Sequence, residues 1–140
     1  MKKLLAIILI TAAIFAGCGE KKEDAQKALL DKVIEVHDEV MPLMNDIMEY
    51  KKELNAKIDE LANSAKEDKE AKIAELKKAV EDLENSHEGM LDWMRQFNSN
   101  FEGKVEEEVM SYLNDQMSKI ESVGKETNAA LKKAEELLAN

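Results

Sequence analysis

The residues with the widest chemical reach in this chain are two histidines, His37 and His87, and the methionines spaced around them. Met41, Met44 and Met48 follow His37 at helical intervals, Met90 and Met94 follow His87, and Met110 and Met117 come later. Thioether sulfur and imidazole nitrogen are soft and borderline donors, and together they suit Cu(I). The same pair can serve as axial ligands to a haem iron. Such a site would join one histidine to methionines of neighbouring helices: His37 with Met41 and Met94, or His87 with Met44, Met48 and Met117, with Met90 in the same cluster. An imidazole ligand has to be neutral, so affinity would fall in acid. No Cys-x-x-Cys-His is present, which excludes covalent c-type haem. The plainer role of these residues is packing. Methionine is an adaptable core filler, and a seam histidine can set register or meet a carboxylate, here Asp38 or Glu39. No cofactor is therefore the principal expectation, and copper is the alternative.

Other chemistry is poorly provided for. There is no nucleophile–base–orienter set, no Gly-rich phosphate loop and no His-Glu-x-x-His box, so the expectation is a protein that is not an enzyme. A net charge of −10 argues against nucleic acid, whose phosphates need a basic patch.

The elements that would position these residues are helices. Apolar residues recur at Leu30, Val33, His37, Val40, Met44, Ile47, Leu54, Ile58 and Leu61, alternating steps of three and four with Lys51 as the missing member. The lone proline, Pro42, removes a backbone donor and crowds the carbonyl of Asp38, so a kink is expected there in preference to a break. The stretch from Asn63 to Asp68 interrupts the stripe. A second seam reads Ile73, Leu76, Val80, Leu83, His87, Met90, Met94 and Phe97. The stretch from Asn98 to Gly103 is a stronger turn, and a third seam carries Val109, Leu113, Ile120, Val123, Leu131, Ala134 and Leu138. Helices are expected at about 25–63, 69–97 and 103–138, and short connections make neighbours antiparallel. The expected fold is all-α, a three-helix antiparallel bundle resembling a coiled coil over residues 25–140.

Turns centred near residues 66 and 100 would put position r of the first helix level with about 133 − r, and position s of the second level with about 201 − s. The methionines after Met1 then gather in the half of the bundle away from the first turn. The two histidines differ in level by about nine residues, roughly 13 Å at the helical rise, and cannot share one metal ion. Trp93 lies just off the seam and is expected to cover the bundle edge. Trp93 and Phe97 are the candidate anchors for a protein partner.

The N-terminus carries an address. Lys2-Lys3 precede an apolar run from Leu4 to Phe15, too short to span a bilayer and long enough for a signal-peptide core. The run ends in Phe15-Ala16-Gly17-Cys18, which resembles the bacterial lipoprotein box. That resemblance implies removal of residues 1–17 and a lipidated Cys18, the only cysteine, followed by a polar tether over residues 18–24. Removal of Lys2 and Lys3 would take the net charge from −10 to −12. Gly19 is not the aspartate that resembles an inner-membrane retention signal, which favours the outer membrane. Lys22-Glu23-Asp24 resembles a surface-export signal of Bacteroidota lipoproteins.

Two further stretches, His37-Asp38-Glu39-Val40-Met41-Pro42-x-Met44 and Met90-x-x-Trp93-Met94-x-x-Phe97, resemble small helical lipoproteins of Bacteroidota often labelled with a viral A-type inclusion protein name. The resemblance covers most of the chain after Cys18 and implies no activity. The expected function is that of a membrane-anchored envelope lipoprotein, an interaction or spacer module with a protein partner, periplasmic or surface-exposed.

Overall fold

The computed structural model describes residues 20–65 and 69–139, with side chains from Glu23 onward. The lipoprotein-like leader and Cys18 lie outside the described residues. Four helical segments follow one another: α1 (Glu20–Val40), α2 (Leu43–Ala62), α3 (Lys69–Gln96) and α4 (Glu106–Leu138). α1 and α2 form one bent rod, so the architecture is an all-α, up-down-up bundle of three long helices.

The bend falls where the proline requires it. The Met41 N–H still donates to His37 O at 2.9 Å, but Pro42 offers no N–H to the carbonyl of Asp38. Beyond it the turn tightens: the N–H groups of Met44 and Asn45 donate three residues back, to Met41 O and Pro42 O, at 3.1 and 3.2 Å. Pro42 itself keeps helical angles, φ −59° and ψ −31°. The result is a kink with a two-residue interruption rather than an unbroken helix. At the other end, α1 reaches back to Glu20, so residues 20–24 are helical turns rather than the expected tether.

The first turn lacks Gly and Pro, and a lysine takes their place. The ammonium of Lys69 donates to Ala62 O and Ser64 O, both at 2.8 Å, occupying carbonyls that the end of α2 leaves free. The second turn is longer than expected. The Asn98 side chain accepts the Asn100 N–H at 2.8 Å, the Asn100 side chain accepts the Glu102 N–H at 3.0 Å, and Gly103 takes φ +76°. α4 therefore starts at Glu106, not at residue 103. Its N-cap is Val105, which makes no side-chain cap bond; the carboxylates of Glu106, Glu107 and Glu108 interact favourably with the positive end of the helix dipole instead.

That longer loop changes the register between α3 and α4. The expected partners of Glu75 and Gly89 are residues 126 and 112; the observed ones are Lys133, ion-paired at 2.7 Å, and Val123. The slip is seven to eleven residues by those two pairs. The first register holds more closely. His37 and Lys51 are expected level with residues 96 and 82, and they meet Trp93 and Glu84.

α1 packs along α4, α2 against α3 and α4, and α3 along α4. Ile47, Leu54, Leu76, Leu83, Met90 and Ile120 are fully buried between them, each removal from water contributing about 1.5–3 kcal/mol. On α3 the buried positions are Leu76, Ala79, Leu83, Ser86, Met90 and Trp93. The expected seam shares Leu76, Leu83 and Met90 but names Val80, His87 and Met94 where Ala79, Ser86 and Trp93 face inward. α4 differs by one residue at three places, with Gly124, Ala130 and Leu137 buried beside the expected Val123, Leu131 and Leu138. The small residues among them, Ala79, Ser86, Gly124 and Ala130, let the helices approach.

Candidate functional site

The most distinctive side-chain assembly lies where α1, the end of α3 and the start of α4 meet. The ring of His37 stacks on Trp93 with centroids 5.5 Å apart and planes 29° from parallel. Trp93 stacks on Phe97 at 4.7 Å, Phe97 on Tyr112 at 6.3 Å, and Phe101 meets Tyr112 edge-on at 6.0 Å. The ammonium of Lys104 sits 5.8 Å from the Tyr112 centroid, within cation–π range. The Tyr112 hydroxyl accepts the Asn98 N–H at 2.8 Å and ties the loop to α4. Four of the five described aromatic residues thus form one ladder with His37.

Helical spacing explains the first rungs. Trp93 and Phe97 are four residues apart, so their rings lie one above the other along α3. α3 ends at Gln96, and the ladder continues through the loop to α4. Trp93 is only 6% exposed, so it stands inside the bundle and not at its edge, as the sequence had suggested. Burial removes it as a surface anchor, while Phe97 stays partly exposed. The indole Nε1–H of Trp93 has no hydrogen-bond partner among the described residues.

His37 is held at two points. Its Nδ1 lies 2.9 Å from Asp38 Oδ1, and its face lies on Trp93. A carboxylate on one ring nitrogen is how metal-ligating histidines are commonly oriented. Met41, one turn on, is partly buried and packs against the core. The third proposed ligand, Met94, is 41% exposed.

The second set separates further. His87 is partly buried, but Met48 is 55% exposed. On α4, the level of His87 is near Val123, beside its neighbour Gly89. Met117 is six residues away, roughly 9 Å along the axis. The expected pairing of His87 with Met117 therefore does not form. Met44 and Met90 are buried in the core, and Met117 packs against it. Of these methionines, Met44 and Met90 are thus buried, Met41 and Met117 partly buried, and Met48 and Met94 exposed. Among the described residues, no group of three or more His, Cys, Asp or Glu side chains could hold a metal ion.

Sequence reasoning named Trp93 and Phe97 but missed Phe101, Tyr112 and Lys104. The four-residue spacing of Trp93, Phe97 and Phe101 was a usable signal; the closing of the loop onto Tyr112 left none. No helix among the described residues is long and apolar enough to cross a membrane. Comparison with protein-family models, curated proteins and solved structures gives no match for the chain.

Proposed function

We propose that the protein is a non-enzymatic lipoprotein of the bacterial outer membrane, anchored through Cys18, whose bundle acts as a spacer and interaction module of the envelope. The observation that carries this reading is the apolar run from Leu4 to Phe15 closed by Phe15-Ala16-Gly17-Cys18, with the chain already helical at Glu20. An acyl anchor at Cys18 would continue almost directly into a rod of two helices. At 1.5 Å per residue the rod extends up to roughly 60 Å, with its bend at Pro42. Such an arrangement holds the turn between α2 and α3 at a distance from the bilayer and restricts how the bundle can lean.

Metabolic labelling with an alkyne fatty acid tests the anchor. The wild-type chain is expected to take the label and partition into detergent, and Cys18→Ala to lose the label. An unlabelled wild type would overturn the reading. Density fractionation of the labelled protein then distinguishes outer from inner membrane.

Copper binding has narrower support. His37, oriented by Asp38, and Met41 share one stripe of the helix, whereas Met48 and Met94 point to solvent. A Cu(I) titration against a chromogenic chelator, with His37→Ala beside the wild type, tests it. Competition by the wild type that the variant loses would bring copper forward; no competition leaves the methionines as packing.

A further inference from the structure

Two acidic lines run along the bundle surface at steps of four residues. On α3 the line is Glu84, Glu88 and Asp92, and the fold neutralises it. Lys51 of α2 reaches Glu84 at 3.2 Å, and Arg95 lies 3.7 Å from Glu88 and bonds Asp92. On α1 the corresponding line is Asp31, Glu35 and Glu39. Lys27 takes Asp31 at 2.8 Å, but among the described residues neither Glu35 nor Glu39 has an ion-pair partner. Like charges four residues apart on a helix repel. A local rule broken without compensation inside the fold points to a function outside it.

A groove lies beside this second line. Ile34 and Leu30 stand three and seven positions before His37, on the stripe of α1 that meets Trp93 of α3 at the level of His37. α3 stops at Gln96, so among the described residues no third helix faces the stripe above that level, and Ser99 of the loop is the wall opposite. Ile34 remains 36% exposed. The open groove is floored by Leu30 and Ile34 and edged by Asp31, Glu35, Asp38 and Glu39, with no basic residue among the described residues that line it.

We propose that this groove is the docking site for a cationic amphipathic helix of a partner protein. The partner helix would lie where α3 stops, its apolar face on Leu30 and Ile34 and its Lys or Arg side chains against Glu35 and Glu39. It would complete a three-helix bundle at the end where the chain itself supplies two. A second copy of this chain is a poor occupant, because its net charge is −10 and its own copy of the stripe is acidic. The inference deepens the interaction reading above but does not depend on the lipid.

The test uses the chain from Gly19 onward, which contains the whole buried core from Val33 to Leu137 and lacks Cys18. Its failure is therefore separate from a failure of fatty-acid labelling. The probe is an 18-residue helical peptide of alternating Lys and Leu faces, titrated by fluorescence anisotropy. Glu35→Lys/Glu39→Lys and, separately, Ile34→Ser are each expected to weaken binding about tenfold or more. Glu53→Lys/Glu60→Lys, on the exposed face of α2 and with the same change in net charge, is expected to weaken it by about twofold or less. Circular dichroism checks that each variant keeps its helix content. Equal weakening by the two charge variants would mean general electrostatic attraction and overturn the proposal. So would self-association of the wild type that Glu35→Lys/Glu39→Lys abolishes, since it would put a second copy in the groove.

Discussion

The two halves of this bundle solve the same packing problem in different ways. In the half nearer the α2–α3 turn, three helices enclose branched side chains such as Leu54, Ile58 and Leu76. Ties between helices fasten it: Lys51 to Glu84 at 3.2 Å, Lys133 to Glu75 at 2.7 Å, and the Lys57 ammonium donating to Leu137 O at 2.8 Å. In the other half α3 has ended, and α1 and α4 continue with a loop beside them. Aromatic rings take over there. His37, Trp93, Phe97, Tyr112 and Phe101 stack across a space that small aliphatic side chains would leave open. The closed half is tied by ion pairs between its helices; the aromatic half keeps the acidic line of α1 and an open groove. The difference separates the part that holds the fold from the part with surface to offer a partner.

The largest expected effect comes from breaking the ladder. Trp93→Ala should cost about 3–5 kcal/mol in urea unfolding, as buried aromatic truncations do. Hydrogen exchange should show α1 losing protection ahead of α2 and α3, because Trp93 joins the α1 end to the rest. A loss under about 1 kcal/mol would mean that the ladder is decoration on a bundle held elsewhere.

A pair of glycines sharpens the comparison at the crossing between halves. A Cβ on Gly89 would meet Val123 Cγ2 at 3.9 Å, an ordinary contact, whereas one on Gly124 would lie 3.1 Å from Val40 Cγ2. Gly89→Ala should therefore raise stability by up to about 1 kcal/mol, the helix propensity difference. Gly124→Ala should gain nothing or lose, since buried Val40 has to move. Thermal melts of the two variants side by side decide this. Adding Val40→Ala should make Gly124→Ala more favourable than it is alone, the non-additivity expected of residues in contact.

Thr127 is fully buried on α4, and its hydroxyl has no partner among the described residues. Thr127→Val keeps the shape and removes an unsatisfied group, so a gain of about 1 kcal/mol is expected in chemical denaturation. The smallest effect concerns the ion pair of the closed half. The hydrogen bond from Lys133 lowers the Glu75 carboxyl below its ordinary 4.5. A lowered folded-state pKa means that the pair's stabilisation is present above pH 4.5 and is lost as the pH falls through the lower folded value. Glu75→Gln should lower the melting midpoint slightly near neutrality and leave it unchanged in strong acid, so that its fall with pH is shallower. Both groups are exposed, so the change should be small and weaken further in salt.

Much of the fold was legible in the spacing of apolar residues. Val33, Val40, Met44, Ile47, Leu54 and Ile58 were all named on the first seam, and all are buried. On α3 and α4 apolar character alone predicts several positions one residue off the buried ones. Ala79, Ser86, Gln116, Gly124 and Thr127 face inward without being large and apolar. His87 and Met94 resemble seam residues but lie on the neighbouring stripe. This one-residue rotation, with the longer second loop, separated the proposed ligands.

By itself the sequence determined the helices, their number and order, the kink at Pro42 and the end of the bundle where the methionines collect. These follow from local physics: a periodicity near 3.5, a missing N–H, and turn residues between stripes. Only the tertiary structure decided which of two adjacent stripes faces inward, how far α4 slides along α3, and that α3 stops short of α1 and α4. Those choices depend on simultaneous packing against two neighbours and on a loop whose asparagine side chains replace backbone partners. No window of sequence read along one helix contains that information.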